Sequence, residues 1–207
     1  MKNRVIRIFV IAVFAFCISS CDKPDEKIFE DGVHTELAKI RNKQLSNIKY
    51  YISFNIPEET QNNITGHEII EFDFNGVDDL PLIIDFRNPA DFIKSVKIDG
   101  KPIKYTFQNE HIVIRSKYLN HKKNRIEIEF IAGNRALNRN DDYLYTLFVP
   151  DRACTAFPCF DQPSLKAKFQ PEITVPKEWI AVSNASLIEK KSDQDKEIYI
   201  FDESEPI

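Results

Sequence analysis

The chain has 207 residues, 28 Lys and Arg against 32 Asp and Glu for a net charge of -4, and 43% hydrophobic residues, the composition of a globular protein with room for one ordinary domain. A slightly acidic chain with no Lys/Arg block is excluded as a nucleic-acid binder, because such binders carry basic stripes that displace counterions from phosphates. The five glycines stand at 32, 66, 76, 100 and 133, too scattered for a phosphate-cradling loop or a G-x-S-x-G nucleophile elbow.

In chain order, Lys2, Arg4 and Arg7 precede an uncharged run from Ile8 to Ile18. That pattern predicts a secretory signal over 1–20 rather than a permanent span. Ile18-Ser19-Ser20-Cys21 resembles the bacterial lipobox, which implies lipidation of Cys21 and an exported, membrane-anchored lipoprotein of the bacterial cell envelope. Losing residues 1–20 would leave 25 basic against 32 acidic residues, a net -7. Residues 21–34, opening with the charged, proline-broken Asp22-Lys23-Pro24-Asp25-Glu26-Lys27, read as a tether.

A short helix is predicted over 35–45, with Leu37, Ile40, Gln44 and Leu45 on one stripe and Thr35 as N-cap. From Ile48 the hydrophobic period changes to two. Strands are predicted at 48–56, 67–74, 81–86, 92–98, 103–107, 111–115, 125–131, 144–149, 165–175, 179–183 and 197–201. Short Ile-, Val- and Phe-rich runs at this spacing predict an all-β fold, an antiparallel saddle-shaped β-sandwich carrying one short N-terminal helix, over 35–207. Asp99-Gly100 between two alternating runs predicts a type I′ hairpin turn, and Asn75-Gly76 closes another strand. Residues 57–65, 87–91, 116–124 and 133–143 read as loops.

Cys17 leaves with the signal and Cys21 is the lipidation site, so Cys154 and Cys159 remain. Their spacing leaves three states open: two buried free thiols, a disulfide, or half of a metal site. The four histidines form no zinc-helix pair.

Residues 150–163, PDRACTAFPCFDQP, form the densest unusual cluster. Pro150, Pro158 and Pro163 forbid a regular ladder and predict a rigid irregular loop. Asp151, Arg152 and Asp161 are expected to serve locally as an ion pair and turn caps. FPCFDQP (157–163), the following Lys166-Ala167-Lys168-Phe169 and ITVPKEWIAVSNA (173–185) together resemble the N-terminal domain of the aminopeptidase N family of zinc metallopeptidases. Its pattern reads R-x-x-FPC-[FWQ]-D-x-P, then a K-A-x-F strand and a VP…AVSN strand. The run from Gly32 to Pro57 resembles that family's entry into its first strand.

The resemblance implies a non-catalytic β domain that packs on a catalytic domain and walls one side of the peptide cleft. Zinc would belong to that catalytic domain, with no cofactor on this chain. The family's H-E-x-x-H helix and G-x-M-E-N loop are absent, since Met1 is the only methionine, so the chain is expected to be a truncated or split member without hydrolytic activity of its own. The position matching the family's first substrate subsite is Val149, with Asn140 or Asp141 as substitutes for a polar contact there.

The rival expectation is a free-standing surface lipoprotein that uses the same fold as a binding or adhesion module. Asp78/Asp79 and Asp141/Asp142 are unsuited to glycosidase chemistry because adjacent side chains point apart. Tyr143, Tyr145 and Trp179 fit packing better than a carbohydrate platform.

Overall fold

A computed structural model describes residues 26–76 and 80–207. The proposed signal, Cys21, tether residues 22–25 and the Asp78/Asp79 pair lie outside the described residues. Helix α1 spans Thr35–Gln44 and runs directly into strand β1, Leu45–Asn55. The expected N-cap is corrected: His34 holds that position, its Nδ1 accepting from the Glu36 N–H at 3.4 Å, and Thr35 is already helical. The remaining strands are β2 Thr65–Phe74, β3 Leu82–Asp85, β4 Ile93–Ile98, β5 Lys101–Pro102, β6 Thr106–Gln108, β7 His111–Ile114, β8 Lys122–Ile131, β9 Leu137–Arg139, β10 Leu144–Thr146, β11 Ala167–Pro176, β12 Leu187–Asp193 and β13 Lys196–Phe201.

Eight strands form one sheet in the order β12-β13-β11-β1-β2-β8-β4-β5, while β3-β7-β6 and β10-β9 form two smaller ones. The all-β sandwich is present, and its pairing is antiparallel except between β1 and β11, which run parallel with Ile48 opposite Ala167 and Asn55 opposite Thr174. A parallel neighbour requires a long crossover, and here more than a hundred residues intervene, including the entire small sheet. Three layers result. The inner face of the large sheet, carrying Tyr50, Ile52, Ile70, Phe72, Ile126, Ile128 and Phe130, packs against Leu82, Ile84, Phe86, Ile112 and Ile114 of the small sheet. The opposite face of the small sheet, Ile83 and Val113, is covered by Ile28 and by Leu37 of α1. A middle layer must be apolar on both faces, which is why Leu82–Asp85 and His111–Ile114 are buried at every position instead of alternating.

The Asp99-Gly100 turn is of the predicted type, both residues having positive φ (49° and 75°) between paired Ile98 and Lys101. A second such turn, Asn109-Glu110 at φ 47° and 63°, joins β6 to β7 without glycine. Gly66 answers to a different constraint. A Cβ there would lie 2.2 Å from Cζ of Phe130, so the aromatic core closes only over bare backbone.

Two strand expectations are corrected. Residues 179–183 form no strand: Trp179 folds back through its N–H to the Pro176 carbonyl at 2.9 Å, and Ile180 and Val182 stand more than 80% exposed. Residues 187–193, which show no alternation because every side chain is exposed, form edge strand β12. The expected loop 133–143 contains β9, and β8 begins at Lys122, inside the expected loop 116–124.

Candidate functional site

The 150–163 segment is a strap on the edge of the small sheet. Asp85 and Cys159 exchange backbone hydrogen bonds at 2.8 and 3.0 Å, making a bridge on the β3 edge. The Asp85 side chain is the hub of this junction. Arg41 of α1 donates to both of its oxygens at 2.8 and 2.6 Å, His111 Nδ1 lies 2.9 Å away, and the Asp161 N–H donates at 3.0 Å. The guanidinium also donates to the Ile83 carbonyl, and His111 Nε2 lies 2.8 Å from the Glu30 carbonyl. All three side chains are buried. Burial alone would raise the Asp85 pKa; Arg41 and His111 outweigh it and hold the carboxyl at about 2. One carboxylate thereby ties helix, small sheet and strap together.

The strap's remaining residues follow from the same docking. Gln162 donates to the Ala38 carbonyl and to the Asn42 side chain of α1. Phe160 packs edge-on to Phe72 and beneath the Arg41 guanidinium. Phe157 meets Tyr50, Phe54, Phe148 and Phe169 edge to face. The Asp161 carboxylate accepts from the Cys154 N–H at 3.0 Å, and its pKa is raised, chiefly by burial.

This aromatic wall borders a groove of about 550 Å³. It is lined by Tyr50, Ile52 and Phe54 of β1 together with Leu144, Phe148, Val149, Phe169 and Ile173. Val149, Val182 and Ile207 line it too while 69%, 82% and 52% exposed. Apolar side chains standing this far into solvent around an apolar groove mark a surface suited to a macromolecular partner.

Val149 thus sits on the groove, but Asn140 and Asp141 do not line it. Asn140 Oδ1 is spent accepting from the N–H groups of Asp142 and Tyr143 at 2.9 Å. Tyr143 and Tyr145 stack at 6.0 Å on the β9–β10 hairpin, away from the groove lining, and Trp179 packs on the core. The local Asp151–Arg152 pairing is corrected: Asp151 lies 3.6 Å from Arg87, and Arg152 donates to the Arg135 carbonyl. The arginine of the R-x-x-FPC pattern has no counterpart here, because the position three before Phe157 is Cys154. Cys154 and Cys159 are both buried free thiols in this structure, and desolvation pushes both thiols up.

Two features escaped sequence reading. Arg139, an apparent loop cation, donates to the carbonyls of Pro57, Glu59, Thr60 and Asn62 at 2.5–3.3 Å and so holds the β1–β2 connection. Glu68, fully buried on the inner face of β2, has no hydrogen-bond partner on either oxygen, and burial pushes its pKa well above the ordinary carboxylate range. Its place in the alternation of β2 signals that it faces inward. Among the described residues no three His, Cys, Asp or Glu side chains come together as metal donors, and Asp85 and His111 are already engaged. A zinc site does not fit this set.

With this geometry in view, the likeness to known proteins is direct. The peptidase M1 N-terminal domain family matches residues 46–207. "Probable aminopeptidase 1" of Sulfurisphaera tokodaii is 35% identical over 121 residues, covering 54% of this chain and 15% of the relative. The leucyl aminopeptidase of Saccharolobus solfataricus is 27% identical over the same shares. In fold, the chain resembles an M1 zinc metallopeptidase from Deinococcus radiodurans (TM-score 0.65, 15% identity, 80% of this chain and 40% of that one). It also resembles native yeast LTA4 hydrolase (TM-score 0.62, 19% identity, 80% and 28%). The matched parts make up 15% to 40% of these proteins, and the family matched along most of this chain is that of the N-terminal β domain: the chain belongs to the peptidase M1 N-terminal domain family.

Proposed function

We propose that this chain serves as the non-catalytic N-terminal domain of an exported, lipid-anchored, aminopeptidase N-like zinc metallopeptidase. Its groove face packs on a catalytic domain and walls one side of the peptide cleft, with Val149 at the edge of the first substrate subsite. The observation that carries this reading is the apolar groove rimmed by exposed Val149, Val182 and Ile207, on a domain whose family is found in aminopeptidases. Anchoring rests on the basic start, the uncharged run and Cys21. Since acyl chains contribute about 0.8 kcal/mol per buried CH2, a multiply acylated Cys21 would hold the domain at a membrane surface without a spanning helix.

The test uses the polypeptide encoded after codon 207, expressed separately and mixed with this chain. It should contain H-E-x-x-H, bind, and slow hydrogen exchange at 147–149 and 181–184. A downstream sequence without that motif, or binding that leaves these amides unprotected, contradicts the proposal and favours the free-standing module. Metabolic labelling with palmitate should be lost in Cys21→Ala; labelling that persists contradicts the anchor.

A further inference from the structure

We infer that Cys154 and Cys159 are a modification site: a dithiol pair in the strap that a small-molecule disulfide converts to an intramolecular disulfide as the domain folds. The inference stands on how the strap is held. The carbonyl of Cys159 accepts from the Asp85 N–H at 2.8 Å, and the carbonyl of Cys154 accepts from the Arg87 N–H at 2.8 Å. Between them, the Phe86 N–H points the other way to the Glu110 carbonyl at 2.7 Å, the alternation of an extended segment. Donors two residues apart on extended chain lie about 6.6 Å apart. The carbonyls of the two cysteines are thus anchored on neighbouring same-side donors of one extended segment, which brings the two residues side by side.

The turn Ala153–Thr155 makes this approach possible. It lifts the chain out of the ladder, so that Cys154, rather than Phe157, takes the place beside Arg87. Both side chains enter the same core cluster, and each thiol feels the Asp161 carboxylate, with Cys159 feeling Cys154 as well. A bond between them would close the loop that carries Phe157, the residue at the centre of the groove's aromatic wall.

The chemistry balances with oxidised glutathione as the electron acceptor. One cysteine thiolate attacks a glutathione sulfur and expels the first glutathione thiolate. The second cysteine thiolate then attacks the protein sulfur of the mixed disulfide and expels the other. Two protein thiols are oxidised, one glutathione disulfide is reduced to two thiols, and the two protein protons end on the leaving groups. Because both thiols are buried and held protonated, closure belongs to the folding chain, before the strap seats, and the folded dithiol reacts slowly.

The experiment is refolding of the full chain from denaturant in a mixture of oxidised and reduced glutathione. Free thiols are then alkylated and mapped peptide by peptide, with and without prior reduction. The expected result is that Cys154 and Cys159 are alkylated only after reduction, without a glutathione adduct. Reductant should lower the thermal midpoint of this refolded material and leave that of Cys154→Ala unmoved. The same treatment of Cys154→Ala should place glutathione on Cys159. Full alkylation of both cysteines without reduction, stable glutathione on each, or a bond from either to Cys17 or Cys21 overturns the inference. The alkylation result on the unaltered chain decides the matter even if the variant does not fold.

Discussion

The charge on Asp85 is stabilised only because Arg41 and His111 meet it inside the protein, and the consequence can be read in acid. A carboxyl held at about 2 in the folded chain against an ordinary 3.8 contributes stability that is complete above pH 4 and disappears as pH falls toward 2. The difference amounts to about 2–3 kcal/mol. Arg41→Met should cost about 3–5 kcal/mol at neutral pH, because it strands a buried carboxylate. Glu68 has the opposite sign. Its pKa is raised by burial, so its contribution is complete below pH 4.5 and is lost as pH rises and the unfolded chain releases the proton. Glu68→Leu should therefore raise stability at pH 7 by about 1–3 kcal/mol and flatten the decline above pH 4.5. Urea unfolding of the parent and both variants at several pH values checks both signs; a Glu68→Leu protein less stable than the parent at pH 7 contradicts the unpartnered-acid reading. Neither the Asp85 partnership nor the burial of Glu68 could be read directly from the sequence. Arg41 and Asp85 are 44 positions apart, and an inward glutamate is visible only once the strand's inner face is known.

At the scale of elements, period-two alternation located β1, β2, β4, β8, β11 and β13, since each has one face on the core and one toward solvent. It failed at β12, where both faces are exposed, and it misread 179–183. There Trp179 and Ala181 pack on the core while Ile180 and Val182 stand in solvent, which is alternation without a ladder. The FPCFDQP segment was legible as an irregular loop, yet the reasons for its residues lie elsewhere: Phe157 and Phe160 fill the core, Gln162 reaches α1, and Asp161 ties back to Cys154. Val149 was placed by resemblance alone, and its exposure beside the groove has no signature in the local sequence. Arg139 organises a connection in the same long-range manner. Arg139→Ala should leave four carbonyls of the β1–β2 loop without their shared donor, costing about 1–3 kcal/mol. Hydrogen exchange should accelerate across 58–64 and stay unchanged in β4 and β7; uniform acceleration or none contradicts a local role.

At the scale of the whole molecule, the described residues form a three-layer scaffold with an open apolar groove where the strap, the β9–β10 hairpin and residues 182–184 converge. Asp85, His111, Asp161 and Gln162 are engaged in holding those layers together, each with partners inside the domain. Under the proposed function, this domain shapes and supports a cleft, and cleavage belongs to the catalytic domain it packs on. The most direct measurement is hydrolysis of an aminoacyl anilide by the purified chain with added zinc, with and without a chelator. The account predicts no turnover above the buffer rate in either condition; reproducible hydrolysis that the chelator abolishes would contradict it.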